Sequence, residues 1–356
     1  MHMNSRGGIR RWAVLCLAAA PVLAVGAPSV SGVSGTLSVG QTVTVSGSGF
    51  GTKPVAQPLL WDNFEGGTAG KGIQDVPATI GKWDTGAGSE NVTYTKAKAH
   101  SGVMASQHNF MTAYNASLSK NVQFSRLYMD FWIMASYIDN KSRNFKPWRF
   151  YGPNDDYQLD YVWLCSGGLM NRVQGSAGFS QGDWGGPAYS NGKWMHVQLV
   201  YNESSPGVAN GTIRHFIDSQ VAGLDSGAIM TEKVSAHFNQ IRIGHYWDQD
   251  AVDNCAANSG ATVYVDDVYL DTSWARVELG NASTYAGSTH REIQVPSSWA
   301  DGSVAIKFNP GNFASGTTAY LYVTDANNNT SAGIPVKIGQ TGTAVLPNPP
   351  SNVTVQ

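Results

Sequence analysis

The chain has 356 residues, a length that points to about two domains. It carries a formal net charge of −2, with 13% charged residues, 11% aromatics, 40 glycines and six glutamates. That balance excludes a helical bundle, a coiled coil, a disordered charged tail and a general nucleic-acid binder, and it fits an all-β extracellular protein.

Arg6, Arg10 and Arg11 precede an apolar stretch, residues 12–24, which the mostly small residues 24–27 follow. This pattern predicts a secretory signal peptide over residues 1–26, and hence a protein that is secreted or held at the cell surface, extracellular or periplasmic. The apolar run is short of the roughly 20 residues of a membrane span, and no later segment approaches one, so no membrane span is expected after signal removal. Two cysteines then remain, Cys165 and Cys255. In an oxidising compartment they either close a loop of about 90 residues or stay as separate thiols.

From residue 28 onward the chain alternates apolar and polar residues with a period of two. Residues 28–51 read PSVSGVSGTLSVGQTVTVSGSGFG, and DNFEGG follows at 62–67. Residues 126–137, 157–165, 193–202, 211–223 and 261–271 continue the pattern, separated by Gly, Asn, Asp, Ser and Pro clusters. Alternation of this kind predicts antiparallel strands, and so many of them imply a sandwich or barrel. Further strands are expected over residues 276–338, and the tail, residues 341–356, is Pro-rich.

The strand WMHVQLVYN, followed by SSPGVANGTIRHFIDSQVAG, resembles the concanavalin A-like lectin/glucanase jelly roll, including its laminin-G-like members. DNFEGG and YVDDVYLD are similar to the first and last strands of such a sandwich. GQTVTVSGSGFG resembles the opening of an IPT/TIG-type immunoglobulin-like domain, and residues 276–338 look like the remainder of one. The resemblance implies an antiparallel jelly-roll β-sandwich over residues 53–271, inserted into a smaller, discontinuous immunoglobulin-like β-sandwich made of residues 27–52 and 272–340. A separate N-terminal hairpin and an independent C-terminal β-domain are the alternative. PPSNVTV resembles the start of a fibronectin type III strand, which makes the tail a linker or a truncated module.

The same resemblance implies a structural Ca²⁺ held by Glu65 in the opening strand and by Asp266 and Asp267 in the closing one. Strand alternation alone does not say which of the two aspartates turns toward Glu65. Asp248, Asp250 and Asp253 miss the EF-hand spacing and read as a solvated loop. The eight histidines show no paired ligand spacing, so zinc is not expected.

Residues 144–163 and 245–247 carry the densest mixture of aromatic and hydrogen-bonding side chains. Sugars stack their apolar faces on aromatic rings, so Trp148, Tyr157, Trp163, Tyr246 and Trp247 are the expected substrate-binding residues, some of them shared with the core. No pair of carboxylates suits glycoside hydrolysis, and the Glu-x-Asp-x-x-Glu strand of jelly-roll glucanases is absent. A polysaccharide lyase needs instead a cation to neutralise a uronate carboxylate and a base for its C5 proton. Lys146, Arg149, Tyr151, Tyr161 and His245 supply those types. The sequence therefore leaves three readings: a protein that binds a polysaccharide or other glycan, a lyase acting on a uronate-containing glycan, and a structural envelope protein. It says nothing of oligomeric state.

Overall fold

The computed structural model describes residues 26–110, 114–135, 143–153, 157–163, 169–175, 179–184, 192–229, 237–248 and 262–342. The predicted signal peptide, the tail beyond 342, Cys165, Cys255, Asp250, Asp253 and residues 154–156 lie outside them. In chain order the strands are β1 (Ser29–Thr36), β2 (Thr42–Ser48), β3 (Leu60–Asp62), β4 (Val92–Thr95), β5 (Ala105–Asn109), β6 (Leu118–Asn121), β7 (Arg126–Ala135), β8 (Arg143–Tyr151), β9 (Tyr157–Trp163), β10 (Leu169–Gly175) and β11 (Phe179–Trp184). Then follow β12 (Met195–Asn202), β13 (Gly211–Ile217), β14 (Gln220–Ile229), β15 (Gln240–Asp248), β16 (Thr262–Asp271), β17 (Arg276–Gly280), β18 (Arg291–Ala300), β19 (Ser303–Lys307), β20 (Thr318–Thr324), β21 (Ile334–Lys337) and β22 (Thr341–Gly342). The chain is an all-β, antiparallel sandwich protein. No helix among the described residues is long and apolar enough to cross a membrane.

The alternating runs become strands because each buries one set of side chains. In β7, Leu127, Met129, Phe131, Ile133 and Ala135 all enter one core cluster. That core fills the space between a six-stranded sheet, ordered β11-β10-β9-β8-β15-β6, and a second sheet, ordered β14-β13-β12-β7-β16-β5-β4, with β3 added on β16. Trp83, Trp148, Trp247, Phe131 and Phe110 are among its fully buried side chains, each worth on the order of 2–3 kcal/mol by burial alone. Between β13 and β14 the chain turns at Asp218 and Ser219, with φ of 48° and 66°. Two consecutive positive φ values suit the tight hairpin turn that follows the strand twist.

The remaining strands form one sheet, β21-β20-β17-β18-β19-β2-β1-β22. Its ends approach each other, with β1 beside β21, and the sheet wraps around Val43, Val45, Val277, Val304 and Leu321. The N-terminal pair β1–β2 is held there by the pairing of β2 with β19, from Thr42↔Lys307 to Ser46↔Ser303.

Two crossings join the sandwiches, and a buried ion pair fastens them together. Lys53, just after the chain leaves β2, lies 2.6 Å from Asp271 at the end of β16. Beside it, Trp61, Tyr128, Val200 and Tyr269 on the outer face of the second sheet pack against Ile293 and Val295 of β18. One large face of the jelly-roll-like sandwich is thus covered by its neighbour. The outer face of the six-stranded sheet remains.

Candidate functional site

On β8, Phe145, Trp148 and Phe150 point into the core, so Arg149 and Tyr151 turn outward. On β15, Ile241, Ile243 and Trp247 enter the core. The register slips between Ile243 and Tyr246, where β15 carries one residue more than β8. This bulge sits at Gly244, whose φ of 66° favours glycine. It brings the consecutive residues His245 and Tyr246 to the same outer face as Arg242.

The side chains gathered there form one connected cluster. Arg149 Nη1 donates to Tyr151 Oη at 3.0 Å, and Tyr151 Oη lies 2.7 Å from His245 Nε2. His245 Nδ1 lies 2.8 Å from Ser117 Oγ, just before β6. The Arg242 guanidinium sits 4.0 Å from the Tyr151 ring centroid, and its Nε donates to Gln240 Oε1. Gln240 Nε2 in turn donates to Asn121 Oδ1 at 2.6 Å. Lys146 Nζ lies 4.3 Å from the centroid of Tyr246. Arg149 and Tyr246 are half-buried, whereas Lys146, Tyr151, Arg242 and His245 are buried.

Burial, followed by the charges of Arg242, Arg149 and Lys146, holds the His245 imidazole well below its ordinary pKa. The ring is neutral, with one N–H and one lone pair. If Nδ1–H donates to Ser117, the serine hydroxyl donates on to the His245 carbonyl at 3.4 Å. Nε2 is then left to accept the Tyr151 proton. We assign this tautomer because it gives each of these protons an acceptor. The result is a phenol poised between an acceptor and an arginine, inside a field of three cations.

Backbone pairing extends two polar rows across the sheet. Arg149 is in register with Arg242 and Asp160, and Asp160 with Arg172. Tyr151 is in register with Gln240 and Gln158, and Gln158 with Gln174.

Of the ten side chains expected to meet a glycan, Lys146, Arg149, Tyr151, His245 and Tyr246 come together. Trp148 and Trp247 do not: both are fully buried in the sandwich core, because the strand phase around the bulges turns them inward. Tyr161 lies opposite Trp148 in the ladder, and Trp163 opposite Phe145. Tyr157 opens β9. For these three only backbone positions are described. Arg242, Ser117 and Gln240 were not among the expected residues. The only signal for them was the alternation of Gln240, Arg242 and Gly244 against Ile241 and Ile243, and Gly244 breaks it.

The expected Ca²⁺ ligands are also placed. Glu65 Oε1 accepts from the Val103 and Met104 amides, both at 2.8 Å. Asp266 Oδ2 accepts from the His100 and Ser101 amides at 2.8 and 3.3 Å, and its Oδ1 from the Asp267 amide at 2.9 Å. Asp267 adopts φ 50° in a bulge of β16 and accepts from His100 Nδ1 at 2.9 Å. Both aspartates therefore serve the loop at 100–104. N–H donors thus reach one oxygen of Glu65, both of Asp266 and one of Asp267. Among the described residues, the group of this kind whose ligand atoms lie within 4.8 Å of one another includes Asp267 with His100 and Glu292.

No protein-family model and no curated protein sequence matches the chain. Solved structures do resemble it. The endo-β-1,4-glucuronan lyase from the fungus Trichoderma reesei is 14% identical with a TM-score of 0.45, over 58% of this chain and 97% of that one. The alginate lyase Aly36B is 13% identical with a TM-score of 0.40, over 61% and 98%. The cellulose-induced protein Cip1 is 12% identical with a TM-score of 0.39, over 60% and 97%.

Proposed function

We propose that the chain is a secreted polysaccharide lyase that cleaves a uronate-containing glycan by β-elimination on the outer face of the six-stranded sheet. One observation carries this reading. Tyr151 Oη is held between His245 Nε2 at 2.7 Å and Arg149 Nη1 at 3.0 Å, with Arg242 against its ring.

β-Elimination needs the C5 proton of a uronate to be acidified and then removed. Arg149 and Arg242, with Lys146 beside them, would neutralise the C6 carboxylate. An arginine does this well because its planar fork matches two carboxylate oxygens. Tyr151 loses its phenolic proton to solvent before the glycan binds; its hydrogen bond to His245 positions the oxygen, and Arg149 stabilises the phenolate. The phenolate abstracts the C5 proton, the C4–C5 double bond forms and the C4–O bond breaks. Tyr151 then returns the proton to the departing glycosidic oxygen. Ser117 acts through His245 by fixing its tautomer. Tyr246 offers a ring face beside Lys146 for an adjoining sugar.

Burial of Tyr151 and His245, while Arg149 and Tyr246 reach solvent, favours a second reading, in which the same face binds acidic glycans without turnover. Purified protein incubated with alginate, glucuronan, pectate and glycosaminoglycans, with absorbance of the new C=C bond followed over time, tests both. Growth of absorbance with one of these polymers supports the lyase. Retention of a polymer without any growth overturns the lyase in favour of binding.

A further inference from the structure

A second constellation lies on the opposite side of the molecule, at the seam between the two sandwiches. His100 comes from the loop before β5, Asp267 from the bulge of β16, His290 from the residue just before β18, and Glu292 from the start of β18. His100, Asp267 and Glu292 are buried, and one ligand atom from each lies within 4.8 Å of the others. Asp267 Oδ2 lies 2.9 Å from His100 Nδ1, which leaves Nε2 facing Glu292 Oε1, 3.7 Å away. His290 Nε2 lies 2.8 Å from the same oxygen, its side chain 29% exposed at the rim.

Three buried atoms in this group have no hydrogen-bond partner: His100 Nε2, Glu292 Oε2 and Asp267 Oδ1. Leaving such atoms bare costs on the order of 1–3 kcal/mol apiece, and more for a charged group. The charges are unequal as well. Nearby, Arg276 and Arg291 lie 2.7 and 3.4 Å from Glu278. Among the described residues, the ion pairs of Asp267 and Glu292 are all with imidazoles.

We propose that His100 Nε2, His290 Nε2 and the Glu292 carboxylate bind a divalent transition cation of the zinc class, with Asp267 orienting His100. Two imidazoles and a carboxylate suit such an ion. Two ligands of a tetrahedral zinc stand roughly 3.4 Å apart, given bonds of about 2.0–2.1 Å, and His100 Nε2 and Glu292 already stand at 3.7 Å. A carboxylate that accepts the far N–H of a ligating histidine is the usual support for such a site. The cation would tie the loop at 100–104 and β16 to β18, and so lock one sandwich to the other. No sequence spacing reveals the set, because it is assembled from three segments of two sandwiches.

The test is zinc and cobalt binding by the tag-free full chain after chelator treatment. Wild type should retain about one equivalent of Zn²⁺, and bound Co²⁺ should show the strong visible bands of a low-coordinate site. Saturating Zn²⁺ should raise Tm by roughly 5 °C. His290→Gln, at the half-open rim, and Asp267→Asn, whose asparagine tolerates the positive φ, should each weaken Zn²⁺ binding by roughly 10–100-fold. Glu90→Gln, at an exposed position away from the seam, should leave it unchanged. A Tm indifferent to Zn²⁺ and chelator, or Zn²⁺ binding that survives both His290→Gln and Asp267→Asn, overturns the proposal.

Discussion

Tyr151 is paired along the backbone with Gln240, yet its hydroxyl ends 2.7 Å from His245 Nε2, further along the same strand. The ring lies along the sheet over Arg242, and the bulge in β15 turns His245 to meet it. The site therefore depends on a break in strand regularity as much as on the strands themselves.

Replacing Tyr151 with Phe keeps the ring on Arg242 and removes only the hydroxyl. On the proposed mechanism kcat should fall by roughly 10²–10⁴-fold, the usual share of a positioned proton-transfer group. The melting temperature should move little. Steady-state rates on the best polymer, with calorimetry alongside, check this. An active Tyr151→Phe variant would remove Tyr151 from the chemistry.

Arg149 is half-buried and donates to Tyr151. Arg149→Lys keeps the charge and loses the fork. Loss of one bidentate contact should raise KM by about tenfold or more, at roughly 1.5–3 kcal/mol for a charged hydrogen bond. Because Arg149 also stabilises the phenolate, kcat should drop too. A drop in kcat with no change in KM would assign Arg149 to Tyr151 alone.

Much of the sandwich was legible in the sequence, since period-two alternation marks a half-buried strand directly. The run 126–137 became β7 (Arg126–Ala135), and 261–271 became β16 (Thr262–Asp271). The cluster of Lys146, Arg149, Tyr151 and His245 was legible as chemistry, because cations, phenol and imidazole crowd two short segments. Orientation was not. Trp148 and Trp247 look the same in sequence as surface platforms and as core residues, and only the strand phase around the two register slips separates these cases. The seam was least legible, since His100 and Glu292 acquire meaning only once β18 lies across the jelly-roll-like sandwich.

His108 is buried without charge. Burial lowers its pKa from 6.5 to about 4, against hydrogen bonds to backbone carbonyls. Between about pH 6.5 and pH 4 the unfolded chain takes up a proton here and the folded protein does not, so this residue costs stability as pH falls through that window. A variant with no titrating group at that position lacks this term. The Tm of His108→Gln relative to wild type should therefore be more favourable at pH 4.5 than at pH 7.5. Equal differences at the two pH values would mean that His108 is not neutral in the fold.

The Lys53–Asp271 pair joins the two chain crossings with both side chains almost wholly buried, 1% and 5% exposed. For each partner burial outweighs the other's charge, lowering Lys53 and raising Asp271. Removing one partner of such a pair strands the other, at about 3–5 kcal/mol. Lys53→Met should thus lower Tm by roughly 10 °C. Lys53→Met combined with Asp271→Asn should recover most of it, because the asparagine oxygen can still accept from the Ser273 amide while its NH2 donates to the Tyr269 hydroxyl oxygen. Additive losses in the double variant would show that the pair contributes through packing instead of charge.

Gly244 is the hinge of the site. Its φ is 66°, and a Cβ placed there would run into the His108 ring. Positive φ costs a residue with a Cβ roughly 1–2 kcal/mol, and the clash has no flexible side-chain end to yield, since His108 Nδ1 is 2.7 Å from the Ala116 carbonyl. Gly244→Ala should lower Tm and, by shifting His245 away from Tyr151, reduce kcat at least tenfold with little change in KM. Gly70, also at positive φ but with open space around its missing Cβ, provides the control. Gly70→Ala should carry a conformational cost and leave kcat intact. Equal activity of both variants would separate the bulge from catalysis.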